Sequence, residues 1–140
     1  MTIAVDFDGT IVEHKYPQIG RELPFATETQ RQLIEDRHQR ILWTVREGDL
    51  LQEAIDWCHE RGVDFYAVNN DYPEETPEKN NHFSRKLKAD YFIDDRNIGG
   101  LPDWGTIYRI IKEHKRYSDI IKERYARIED KPEKKHWWNF

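Results

Sequence analysis

An α/β domain built on a parallel sheet is the fold class that this sequence predicts. Short apolar runs rich in β-branched residues alternate with segments of helical period, the pattern of strands joined by crossover helices. The first strand-like run, Ile3-Ala4-Val5, is apolar throughout, as expected of a strand covered on both faces. Two of the runs end abruptly in paired carboxylates, Asp6/Asp8 and Asp94/Asp95. Strand ends of a parallel sheet are where open α/β folds place ligands. The chain of 140 residues suits one domain.

The first strand is Ile3-Ala4-Val5, running into Asp6-Phe7-Asp8-Gly9-Thr10. A loop or flap from Glu13 to Phe25 follows, punctuated by Pro17, Gly20 and Pro24. Thr27 is an expected N-cap for a helix reaching about Gln39, with Thr29, Leu33 and Ile34 turned inward. Arg40 to Val45 reads as the second strand, and Gly48-Asp49 opens a helix closed by Gly62. A third strand, Asp64 to Val68, leads into the polar loop Asn69 to Pro77 and a short helix from Asn80 to Leu87. The fourth strand, Ala89 to Ile93, ends in Asp94-Asp95. Beyond the turn Gly99 to Pro102, one helix is expected from Trp104 to about Tyr125. There is no internal repeat.

Charged residues make up 35% of the chain and hydrophobic ones 37%, so no stretch is apolar enough to span a membrane. The net charge of −5 disfavours tight non-specific binding to nucleic acid, though a local groove could still take a nucleic-acid end. Cys58 is the one cysteine; it lies in a helical apolar pattern and reads as a packing residue in a reducing compartment. The first apolar run carries acids and lacks a basic leader, which disfavours a signal peptide and points to the cytoplasm.

Asp6 and Asp8 are two residues apart, so on an extended chain both carboxylates address one point. A bend after Asp8 would instead turn its side chain away and leave its backbone carbonyl facing that point. Asp94 and Asp95 repel each other unless solvent, Arg96 or a cation intervenes, and a hard divalent ion such as Mg²⁺ held by oxygen ligands would resolve the repulsion. Thr44 and the backbone amides after it could hold an anion at the end of the second strand. Lys79, Lys86 and Lys88 all precede the fourth strand, and Lys86, near the helix-to-strand junction, is the favoured source of positive charge. The six histidines show no ligand spacing, so no zinc site is expected.

Val5-Asp6-Phe7-Asp8-Gly9-Thr10, Leu42-Trp43-Thr44-Val45-Arg46-Glu47-Gly48, a lysine, and Tyr91-Phe92-Ile93-Asp94-Asp95-Arg96-Asn97 together resemble the ordered motifs of the haloacid-dehalogenase-like (HAD) phosphatase superfamily. The resemblance runs from residue 3 to about residue 100. It implies a Rossmann-like three-layer fold, with a mostly parallel sheet and helices on both faces. It also implies Mg²⁺-dependent hydrolysis of a phosphomonoester through an aspartyl-phosphate. Carried onto this chain, Asp6 would be the nucleophile and Asp8 the general acid/base. Thr44 would bind the transferring phosphoryl group and Lys86 would stabilise its charge. Asp95, with Asp94 beside it, would hold Mg²⁺ together with the Asp6 carboxylate and the Asp8 carbonyl.

No insertion is large enough for a cap domain, so the site should be open. That suits a bulky phosphorylated substrate, such as a polymer end or a protein, or a neighbouring subunit serving as lid. His14, Lys15, Tyr16 and Arg21 of the flap could touch substrate, and Arg46 could either assist the phosphate or pair with a nearby acid. The ending His136-Trp137-Trp138-Asn139-Phe140 should bury its rings on the domain, in a homo-oligomer contact or against substrate. A non-catalytic phospho-acceptor or phosphate-binding module is the alternative. Such receiver domains also gather acids, a Thr and a Lys on a parallel sheet, but place the acceptor later in the chain.

Overall fold

The computed structural model describes residues 1–129, so the aromatic ending His136–Phe140 lies outside the described residues. Two compact units are present, Met1–Gly105 and a second that begins at Thr106. The first contains β1 (Thr2–Val5), α1 (Ala26–Glu35), β2 (Gln39–Leu42), α2 (Gly48–Glu60), β3 (Ala67–Val68) and β4 (Tyr91–Ile93). At its end begins α3 (Trp104–Lys112), and α4 (Tyr117–Glu129) belongs to the second.

The four strands form one sheet in the order β3-β2-β1-β4, and every neighbouring pair is parallel. This is a Rossmann-like α/β fold, the class expected from the sequence. The chain builds outward from β1 through β2 to β3, then returns to place β4 on the other side of β1. The order therefore reverses between β1 and β4, and a cleft opens at their carboxyl ends.

Alternation along the strands divides the core. Ala4, Ile41 and Ala67 cluster with Leu87, while Trp43, Ala89 and Phe92 pack around them. Ile3, Val5 and Leu42 are fully buried on the other face. There Arg40 donates to Gln30 of α1 at 2.7 Å, and Phe7 meets Trp57 of α2 edge-on at 5.7 Å. Burying each large apolar side chain contributes roughly 1.5–3 kcal/mol, so the six or so residues at the sheet centre dominate its stability. Cys58 is buried in α2, and desolvation pushes its thiol up to about 12, in keeping with a packing role.

Five local expectations are corrected. The first helix spans Ala26–Glu35, not Thr27 to Gln39, because Gln39 already pairs in β2. Thr27 lies inside that helix, where its amide and hydroxyl both donate to the Glu22 carboxylate, so a flap residue does the capping. Ile34 faces outward, whereas Thr29 and Leu33 are buried as expected. No helix forms from Asn80 to Leu87. Side chains in this connection bond to its backbone instead: Glu75 accepts the Asp71 amide, Asp71 accepts the Lys88 amide, and Asn80 accepts the His82 amide. Such local bonds compete with helix hydrogen bonds. The last helix is two helices, broken where His114 adopts a left-handed conformation and the Asp119 carboxylate caps the Arg116 amide. Among the described residues, Arg109, Glu113, Lys115 and Glu123 form an ion-pair network around that break.

Candidate metal and anion site

β1 delivers Asp6 and β4 delivers Asp94 and Asp95 to the same sheet edge, because Ile93 is the register partner of Val5. The Asp6 amide donates to the Ile93 carbonyl at 2.9 Å, extending the ladder to the carboxylates themselves. One carboxylate oxygen from each of Asp6, Asp94 and Asp95 lies within 4.8 Å of the others, and all three residues are half-buried. This cluster could bind a metal ion.

A glycine makes the approach feasible. Gly9 has φ of +83°, and a Cβ built there would sit 2.2 Å from Asp95 Oδ2. The Asp95 carboxylate thus occupies the space that any side chain at position 9 would fill. Thr10 ties the two strands together: its Oγ1 lies 3.2 Å from Asp6 Oδ2 and 3.4 Å from Asp95 Oδ1, and it accepts the Asp95 amide at 3.1 Å. The single hydroxyl proton serves one carboxylate at a time. Behind this turn the buried Trp104 donates its indole N–H to the Thr10 carbonyl at 3.0 Å.

Crowding of like charges has an electrostatic consequence. Burial, then the negative charge of Asp94, pushes the Asp6 carboxyl up to about 7. An all-oxygen, anionic donor set suits a hard divalent cation, which would take the place of the Asp6 proton.

Asp8 goes elsewhere. Its two carboxylate oxygens accept Arg46 Nε at 2.7 Å and Nη2 at 2.8 Å, a two-pronged buried ion pair. The chain bends after Asp8, so its carboxylate does not join the other three acids. Hydrogen bonding to Asp8 also raises the Arg46 pKa. The remaining Arg46 donors reach the carbonyls of Leu50 in α2 and Gln18 in the flap, at 3.2 and 3.1 Å. Its guanidinium lies 5.3 Å from the Phe7 ring centre and 5.2 Å from that of Tyr16. Arg46 therefore joins flap, helix and strand end at one point.

Thr44 lies just beyond β2. Asn69 grips its backbone on both sides, accepting the Thr44 amide at 2.9 Å and donating to its carbonyl at 3.0 Å. The Arg46 amide donates to Thr44 Oγ1 at 3.1 Å, so that amide is already committed. The hydroxyl proton of Thr44 can still be donated into the cleft that it lines.

The cleft itself is a cavity of about 430 Å³ lined by Asp6, Asp8, His14, Tyr16, Trp43, Thr44, Val45, Asp94 and Arg96. Asp6, Asp8, Thr44 and Asp94 are brought together here, with Asp95 beside them in the carboxylate cluster. Lys86 is exposed, with its ammonium 5.6 Å from the Phe92 ring centre, and Lys79 and Lys88 are exposed too. Among the described residues, the basic side chains lining the cavity are His14 and Arg96. Sequence reasoning gave no role to Thr10, Asn69 or Trp104. A strand-end Asn that tolerates its φ of 54° is a signal for Asn69. Nothing local in the sequence links Trp104 to Thr10.

No protein-family model and no curated protein matches the chain. A solved structure of a conserved protein from Bacteroides thetaiotaomicron matches with a TM-score of 0.80 and 65% sequence identity, covering 86% of this chain and 96% of that one. With near-complete coverage at that identity, the chain belongs to the same family as that conserved Bacteroides protein.

Proposed function

We propose that the protein is a capless HAD-type phosphatase, a Mg²⁺-dependent phosphomonoester hydrolase working through phosphorylated Asp6. The observation that carries this reading is the convergence of Asp6, Asp94 and Asp95 oxygens within 4.8 Å at the sheet's switch point, beside a cavity with hydroxyl and cationic groups. A phosphate ester repels a carboxylate nucleophile, and Mg²⁺ held by Asp6, Asp95 or Asp94, and the Asp8 carbonyl would offset that repulsion.

Asp6 attacks phosphorus, a carboxylate oxygen–phosphorus bond forms, and the ester oxygen leaves with the bonding electrons. Asp8, in the same cavity, exchanges the proton that the leaving oxygen gains and that water later gives up, which requires one of its oxygens to release Arg46. Arg46 fixes the orientation of that carboxylate. Water then attacks phosphorus, restoring Asp6 and releasing inorganic phosphate. Thr44 and Arg96 supply donors to the phosphoryl oxygens in place of the exposed Lys86, which would need to swing in to reach them. No described helix is long and apolar enough to cross a membrane, and a free buried thiol suits a cytoplasmic setting.

Hydrolysis of p-nitrophenyl phosphate with Mg²⁺, in the parent and in Asp6→Asn and Asp8→Asn, tests the reading. Turnover lost in both variants supports it. Stoichiometric phosphorylation without turnover supports the phospho-acceptor alternative.

A further inference from the structure

We infer that the ester taken by this cavity is a small molecule with an aromatic body, seated on the apolar wall of Tyr16, Trp43 and Val45. The inference rests on the reading that the acidic lining of the cavity receives a phosphate. About 430 Å³ is a volume that suits a small ligand.

The cavity has two kinds of lining. Asp6, Asp8, Asp94, Thr44, His14 and Arg96 are polar or charged, while Tyr16, Trp43 and Val45 supply the apolar lining. Val45 is 84% exposed directly after the strand end, leaving apolar surface for a ligand to cover. Both aromatic residues have partners behind them. Trp43 donates its amide to the Val5 carbonyl at 2.8 Å and packs against the cluster of Ala4, Ile41, Ala67 and Leu87. Tyr16 is backed by the Arg46 guanidinium at 5.2 Å, and the same arginine holds the flap through the Gln18 carbonyl. Aromatic walls bind a planar apolar body with little loss of conformational freedom. A polyhydroxylated body would instead leave hydroxyls without partners against those rings, which disfavours a sugar phosphate.

The test compares kcat/KM within two pairs of esters at saturating Mg²⁺. Benzyl and ethyl phosphate release alkoxides of similar basicity, and a nucleoside 5′-monophosphate and ribose 5-phosphate share one ester linkage. The leaving-group chemistry therefore cancels within each pair. The aromatic member should be favoured by about tenfold or more, as expected of one ring packed on aromatic side chains. A preference in both pairs identifies any ester with an aromatic body; a preference in the second pair alone identifies a nucleobase as the ring. Tyr16→Leu, with folding checked by circular dichroism, should lower kcat/KM for the preferred aromatic ester several-fold more than for its non-aromatic partner. Trp43→Leu provides the same ratio from the opposite element. Ratios within twofold of one in both pairs, or equal losses for both members in each variant, overturn the inference and leave the phosphatase reading standing. Absence of turnover for all four esters overturns the phosphatase reading and the inference together.

Discussion

Asp6 responds to pH in the opposite sense from a salt-bridged acid. Its carboxyl is raised from 3.8 to about 7 by burial and by Asp94, so the folded protein keeps a proton that the unfolded chain has lost. The stabilisation is complete below pH 3.8 and is lost as pH rises through 7. Thermal unfolding of the metal-free protein should therefore show the Asp6 contribution declining across that window. Asp6→Asn should flatten the decline, and Mg²⁺ should raise Tm more at pH 8 than at pH 5, since protons and metal compete. A Tm that is equally Mg²⁺-sensitive at both pH values would contradict the assignment.

Two further residues carry the geometry of the site. In Gly9→Ala the new Cβ would meet Asp95 Oδ2 at 2.2 Å on a backbone with φ of +83°. The cost should be on the order of 1–3 kcal/mol, with Mg²⁺ affinity falling as Asp95 is displaced; urea unfolding and metal titration read the two effects separately. Arg46→Met strands the buried Asp8 carboxylate and should destabilise by about 3–5 kcal/mol. Arg46→Lys should recover less than half of that, because an ammonium cannot make the paired Nε and Nη2 bonds. The acids were legible in the sequence because they lie beside strand ends. Pairing of Asp8 with Arg46 was one of two readings of that arginine, and only the fold, which joins residues 38 apart, decides between them.

At the scale of elements, strand identity was easier to read than helix limits. All four strands were expected, since apolar β-branched runs at a parallel sheet's centre have few other uses. Three of them were read too long at one end: β2 ends at Leu42, β3 starts at Ala67 and β4 at Tyr91. Helix ends depended on partners far along the chain or outside the helix. Glu22, reaching from the flap to Thr27, replaces the side-chain cap that Thr27 was expected to give. Glu22→Ala should destabilise by about 1 kcal/mol in urea unfolding, whereas Glu22→Gln, which keeps an acceptor oxygen, should retain part of the effect. Equal loss in both would mean that charge, not acceptance of the amide, is the source. The segment from Asn69 to Asp90 looked partly helical, but Asp71, Glu75 and Asn80 claim its backbone amides.

For the molecule as a whole, sheet order converts distant sequence positions into one chemical site. Placing β4 beside β1 joins acids separated by most of the first unit, and the carboxyl-end cleft follows from the reversal of order there. Flap residues His14 and Tyr16 line the cleft, and no cap domain stands over it among the described residues. The central claim is that Asp6 accepts the phosphoryl group with Mg²⁺ shared among the neighbouring acids. Acid quenching during turnover of p-nitrophenyl phosphate, followed by borohydride reduction and peptide mass spectrometry, tests it most directly, because reduction of an acyl phosphate marks the phosphorylated side chain. The account predicts homoserine at position 6, formed only when Mg²⁺ is present. Turnover with unmodified Asp6, or with the mark on another acid, would contradict it.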